Sequence, residues 1–468
     1  MKLVLLLSIA FFSKFLAHGQ DFQILSQLPL DDNFSFSTLG MGKNGFGMGL
    51  LNNKGVMVKE QELQLIPAEA GLLGDKILLM NYKQIKPKGV GYIAKLVDKK
   101  TLAVVQEKSV FEKNSPNHIS STLLKNPANK VCYAIFHETK NLQGFRFKRP
   151  ADDFIKSYES LSFQLVSVNE QFEFKTIEIK TEAASSNFAD ACADQFRNIY
   201  ICSFSNSSIV VEKFDSTGRL LGKLSTPFSI WKIPALTIVM KNDLFDQSTI
   251  TIAATHLNSD KKEVHEVIRY DFTNKKLVTT GEIVLDKNYR QSLKNPNEEA
   301  KARFFPEMDC LVPIQIFEDA SQVIVVKEII FERLGGKGEG ITRYRDGSII
   351  TVYNKKNLEV ERDIVINKYL ATFVESSAGI NAHLVGKQLW AVTCENSGLA
   401  SFKSFSYKIN VATGEVLKEE IEKDDIGKGW VTFPHQIAWF KKNYVVPFHR
   451  VTSPFAKVFE TAFVTRPY

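Results

Sequence analysis

The chain has 468 residues, 44% hydrophobic and 24% charged, the balance of a globular protein with enough apolar surface for a large core. Its formal charge of +7 comes from 59 basic and 52 acidic residues scattered among one another, which excludes a concentrated nucleic-acid-binding surface and only mildly favours acidic partners. Five cysteines, Cys132, Cys192, Cys202, Cys310 and Cys394, are too few and too dispersed for a disulfide scaffold, and no Cys-x-x-Cys offers a zinc site.

The N-terminus carries the layout of a secretory signal peptide. Lys2 precedes an apolar run from Leu3 to Leu16, broken by Ser8, Ser13 and Lys14, and the small residues Ala17 and Gly19 bracket a cleavage point. Residues 1–19 are therefore expected to be removed, leaving 20–468 as one secreted or periplasmic domain. Loss of Lys2 and Lys14 lowers the charge from +7 to +5. No cysteine near the cut could accept a lipid, and no later apolar run is long enough to span a bilayer, so no membrane insertion of the mature chain is expected.

Beyond the leader the sequence is rich in Phe, Val, Ile and Thr in strand-length runs. Phe163–Val168 and Phe172–Ile179 alternate apolar and polar residues as half-buried strands do. The expected class is all-β. Four cysteines lie within such runs and read as small buried hydrophobes; Cys192 and Cys202 fall opposite each other across a predicted hairpin, where a disulfide is open.

Two features recur and alternate along the chain. The first is a polar hairpin turn: Asn52 to Gly55, Asp98 to Thr101, Val168 to Gln171, Asp215 to Gly218, Asp271 to Asn274, Asn354 to Asn357 and Ala412 to Glu415, seven in all. Asp or Asn can bond its own backbone two residues on, and Gly or Asn tolerates positive φ. The second is a short apolar segment, a polar turn and a strongly β-forming segment. It runs from Ala70 to Met80 and from Ala189 to Cys202, and also begins near His118, Pro234, Pro306, Ala382 and Pro434, again seven. One hairpin of each kind makes a four-stranded antiparallel unit that cannot bury both its faces alone.

Such units stack radially in β-propellers, which the whole mature chain resembles in architecture. The expectation is a single β-propeller of seven four-stranded blades, with eight as the near alternative, in which strands between Phe34 and Val58 complete the last blade. The marks of named propeller families are missing: there is no Gly-His and Trp-Asp pair, no kelch double glycine and no Ser-x-Asp-x-Gly-x-x-Trp box. No specific family, and no family's catalytic residues, can be carried over.

Catalytic motifs are equally scarce. There is no Gly-x-Ser-x-Gly, His-Glu-x-x-His, Walker or EF-hand pattern. Gly335 to Gly340 reads as a surface loop, the glycines between Gly40 and Gly49 as tight strand packing, and the charged stretch Glu415 to Asp425 as an exposed outer strand. Histidine placement supplies the candidate site. His118 and His435 fall at predicted starts of first strands, and His137, His256 and His449 at predicted ends of second strands, positions that share one face of a propeller. Folding about residues 126–129 sets His118 opposite His137, and folding about 441–443 sets His435 opposite His449; Glu69 is the nearby acid. His383 is expected deeper in the channel, and His265 at the periphery.

Histidine pairs beside a carboxylate can bind a divalent metal or work as acid and base, so His118, His137, His435 and His449 are the candidate ligands. Asp190, Glu307 and Asp309 are further acids, Trp231 and Trp430 candidate platforms for a sugar, and Trp390 and Trp439 core residues. Two functions fit: a binding protein engaging a glycan, a peptide or a cell-envelope protein, or an extracellular lyase or hydrolase with a histidine-rich site.

Overall fold

The computed structural model describes residues 22–468 apart from 42–44, 86–88, 116, 125–129, 140–159, 185, 206, 228–237, 243–247, 261, 287, 290–310, 335–340, 369, 373–378, 397–401, 422–429 and 454–457. It is an all-β protein, a β-propeller of eight antiparallel blades whose strands follow one another in sequence. Blade 1 comprises Phe22–Pro29, Phe34–Met41, Gly45–Asn52 and Met57–Leu63. Blades 2 to 7 begin with the strands Ile66–Leu73, His118–Leu124, Asn187–Ala193, Ile238–Asn242, Leu311–Glu318 and Ile380–Val385. They end with Val104–Asn114, Phe174–Ile177, Leu220–Pro227, Lys276–Val284, Val360–Ile366 and Val416–Glu420. Blade 8 has an interrupted first strand (Val431–Thr432 and Ala438–Trp439), a second (Asn443–Ser453) and a third (Val458–Pro467).

The count is eight rather than seven for a simple reason. All seven polar turns join third to fourth strands, in blades 1 to 7, whereas the seven apolar hairpins join first to second strands, in blades 2 to 8. The two sets of seven are offset by one blade. The N-terminal strands do not complete the last blade as expected. Phe22–Pro29 pairs with Phe34–Met41, so blade 1 closes on itself, and blade 8 is three strands deep among the described residues.

The seven turns share one chemistry. Each opens on Asn52, Asp98, Asn169, Asp215, Asp271, Asn354 or Asn410, whose side-chain oxygen accepts backbone N–H groups two to four residues on. Each then reaches a residue with positive φ: Gly55, Leu102, Phe172, Gly218, Lys275, Leu358 and Gly414. At three of these positions an apolar side chain tolerates the strained backbone because it is buried: Leu102, Phe172 and Leu358 are 0%, 6% and 2% exposed.

Two compact units are present. One, residues 68–96 and 106–369, holds blades 3 to 6 and most of blade 2; the other, residues 1–67, 97–105 and 370–468, holds blades 1, 7 and 8. Within the first, neighbouring blades meet through apolar sandwiches, such as Tyr200, Val211, Ile250, Ile252 and Phe272 between blades 4 and 5. Within the second, Ile24, Leu39 and Leu51 of blade 1 pack on Ala438, Phe440 and Val445 of blade 8. Among the described residues this seam contains no shared strand.

Cysteine placement differs from expectation at one pair. The turn at residues 194–198 sets Cys192 opposite Tyr200 and Cys202 opposite Asp190, so the two thiols are diagonal neighbours rather than cross-strand partners, and neither forms a disulfide. Cys132, Cys202 and Cys394 are buried as expected; Cys310 lies outside the described residues.

Candidate functional site

The first strands of the blades carry polar side chains that reach the backbone of the next blade. Glu69 accepts the N–H of Leu123, joining blade 2 to blade 3. Asp190 accepts the N–H of Met240 at 2.9 Å, joining blade 4 to blade 5, and burial pushes its carboxyl up to about 6. Lys241 donates to the Ile316 carbonyl at 3.0 Å, and, in the other unit, Asn381 donates to the Pro434 carbonyl at 2.8 Å. First strands have one edge without a strand partner, and these contacts satisfy part of it. Glu69 and Asp190, both expected near a ligand, thus hold blades together.

The histidines divide between the two units, and each set stands by itself. His118 and His137 do not face each other: His118 lies opposite Thr139, and His137 opposite Ser120. The true hairpin is displaced by two residues from a fold about 126–129, which leaves both on one face as diagonal neighbours. The His118 side chain lies outside the described residues; His137 is buried, its ring 5.3 Å from Phe188 and 6.4 Å from Phe163. Beside it, buried Glu138 takes hydrogen bonds from Lys113, Ser115, Asn117 and Ser162; these four donors outweigh burial and bring its carboxyl down to about 2.

His256 closes the second strand of blade 5, with Nε2 3.0 Å from Glu266 and Nδ1 2.9 Å from the Leu257 carbonyl. His265, expected at the periphery, is wholly buried with Nδ1 3.3 Å from Thr255. Its Nε2 and the ammonium of Lys327, also wholly buried, have no hydrogen-bond partner among the described residues. Burial lowers both groups, Lys327 to about 8. Sequence reasoning missed this pair, because Lys327 sits in an otherwise apolar run.

Blade 8 supplies the remaining histidines. Pro434 lacks the N–H that a paired strand would use, and residues Pro434–Gln436 form a 3₁₀ turn that splits the first strand. The hairpin is offset by one residue from the expected fold and the insertion moves the register by three more, so His449 lies opposite Val431 rather than His435. His449 is 1% exposed and stacks on Phe433 at 5.4 Å. Its Nε2 donates to the Gln436 Oε1 at 2.7 Å, and its Nδ1 accepts from the Thr461 hydroxyl at 2.9 Å. This fixes a neutral tautomer with both nitrogens engaged; burial, helped by His435, pushes the ring down to about 3. His435 itself is exposed on the turn, 6.2 Å from the Phe433 ring.

Next to this turn, Arg450 lies 5.1 Å over the ring of half-buried Trp430, and Glu460 grips its guanidinium through Nε at 3.1 Å and Nη2. His383, expected deeper in a channel, instead stacks on Trp439 at 5.4 Å and on Tyr468 at 6.1 Å. Trp390 and Trp439 pack against the blade 7–8 core as expected. Trp231, Glu307, Asp309 and the glycine loop 335–340 lie outside the described residues, and Val416–Glu420 is the exposed outer strand anticipated from its charges. Among the described residues no group of three or more His, Cys, Asp or Glu side chains gathers as a metal site, and no helix is long and apolar enough to cross a membrane.

No protein-family model matches the sequence, and the curated proteins give no match. Solved structures similar to the chain are propellers of varied kind. The β-propeller domain of the Trilobed protease from Pyrococcus furiosus is 10% identical, with a TM-score of 0.40 over 86% of this chain and 97% of that one. The WD40 domain of SCAP from fission yeast is 9% identical, with a TM-score of 0.43 over 96% of each. The BP39L lectin from Burkholderia pseudomallei is 9% identical, with a TM-score of 0.44 over 86% of this chain and all of that one. None of these carries an activity over to the present chain.

Proposed function

We propose that the protein is an exported binding propeller that engages an acidic glycan of an envelope or extracellular partner through the end of blade 8. The observation that carries this reading is the Trp430–Arg450–Glu460 stack beside exposed His435. A guanidinium held from one side by an indole and from another by a carboxylate loses little freedom on binding, and its remaining N–H groups suit a sugar carboxylate. Export rests on the leader-like residues 1–19, and N-terminal sequencing of protein recovered outside the cytoplasm tests it.

The lyase or hydrolase alternative needs a base, and His449 offers no free nitrogen for one. Titration with uronate-containing oligosaccharides, for wild type and for Arg450→Gln and His435→Ala, tests the proposal. Arg450→Gln is expected to weaken binding roughly tenfold or more, with the oligosaccharide recovered intact. Cleavage of the oligosaccharide that disappears in His435→Ala would establish the enzyme instead.

A further inference from the structure

Lys327 lies in the second strand of blade 6, Gln322–Leu334, and His265 in the third strand of blade 5, Glu263–Asp271. Strand alternation puts Lys327 on the face of Val323 and Val325, and His265 on the face of Val267. These valines meet in the core that the two blades share. Both polar side chains are therefore aimed into an apolar interface, and each residue is 0% exposed. Neither Lys327 Nζ nor His265 Nε2 has a hydrogen-bond partner among the described residues. Yet the two are neighbours, for the charge of Lys327 adds to burial in holding the ring's pKa down.

The tautomer of His265 is set by its other nitrogen. The Thr255 hydroxyl gives its one proton to the Leu311 carbonyl at 2.6 Å, so at 3.3 Å it accepts the Nδ1–H of His265. Nε2 is left as a bare lone pair inside the interface. The other charged group near the ring is His256, which is held by Glu266. Around Lys327 stand Tyr289, its ring centre 6.0 Å from Nζ, and Asp363, whose carboxylate accepts the Thr351 hydroxyl and acts on the lysine only through space. A buried amine without a partner, beside a buried base without a proton, is a costly arrangement. One small reagent satisfies both.

We propose that Lys327 is a carbamate-forming site: its amine adds carbon dioxide, and the product, hydrogen-bonded to His265, pins blade 5 to blade 6. The neutral amine attacks the carbon of CO2. A C–N bond forms, one C–O π bond shifts its electrons onto oxygen, and the surplus proton on nitrogen passes to His265 Nε2. A carbamate and an imidazolium result, and no other reagent is consumed. The imidazolium keeps its Nδ1 bond to Thr255 and donates Nε2–H to the new carboxylate, so a lone buried cation gives way to an ion pair. Burial favours the step, because a lysine brought down to about 8 carries far more free amine at neutral pH than one at the ordinary 10.5. CO2 is small and uncharged and enters through local opening of the sheets. Without it the chain returns to the bare amine.

NMR tests this on protein labelled with 15N at its lysine side chains and equilibrated with 13C-bicarbonate near pH 8. One carbamate carbon bonded to a lysine nitrogen is expected, its signal growing as pH rises from 7 toward 8. It should be absent from Lys327→Met, and His265→Gln should bind CO2 roughly tenfold more weakly or worse. In urea unfolding, CO2 should raise the wild-type midpoint and leave that of Lys327→Met unmoved. The proposal would be overturned by a wild type with no such signal under saturating CO2, by a signal that survives Lys327→Met, by undiminished binding in His265→Gln, or by a wild-type midpoint indifferent to CO2.

Discussion

Individual buried polar residues set how this protein answers to pH. The His449 ring is neutral in the fold, and burial puts its pKa near 3 against 6.5 for an unburied imidazole. The unfolded chain binds the proton first, so this contribution to stability is complete above about pH 6.5 and is lost as pH falls toward 3, at up to about 1.4 kcal/mol per pH unit. Chemical denaturation from pH 7 down to pH 4 should show that slope, and His449→Gln should flatten it. Lys327 acts in the same direction at higher pH. Its folded value near 8 lies below the ordinary 10.5, so stability rises as pH climbs from about 8 to 10.5. Lys327→Met removes a buried amine without a hydrogen bond and should raise stability by roughly 1–4 kcal/mol at pH 7. Measured again near pH 10.5, that gain should have largely vanished.

At the scale of elements, the hairpin turn is the unit that repeats. Asp215 accepts the Thr217 hydroxyl at 2.6 Å and the N–H groups of Thr217 and Arg219, which hold its carboxyl down at about 2. Asp215→Ala should cost about 1–2 kcal/mol in urea unfolding. These turns were legible because Asp or Asn followed by a positive-φ residue is a local signal. The first hairpin of blade 1 escaped notice, as Phe22–Pro29 alternates poorly and bulges at Leu25. The histidine registers were not legible either: three residues inserted at Pro434, or two at the blade 3 hairpin, move every cross-strand partner. The bonds that Glu69 and Asp190 make to backbone N–H groups 54 and 50 positions away were not legible, since no local pattern reveals them. Of the candidate site, then, residue types were readable and partners were not.

In the whole molecule, the seam between blades 1 and 8 relies on side-chain packing, with no strand in common among the described residues. Phe440, 2% exposed, sits in that seam beside Ile24, Leu39 and Met57. Phe440→Ala should destabilise by about 3–5 kcal/mol, and hydrogen exchange should show protection falling first in blades 1 and 8. The same seam orders the folding process. Each sheet is built from contiguous chain, so its contacts are local and can form as soon as its last strand is made. The union of the two ends is the distant step, typified by the bond from Asn443 to the Asn53 carbonyl, 390 positions away. A chain halted before blade 8 would hold seven self-paired sheets and lack only the wall that keeps water off Ile24, Leu39 and Leu51.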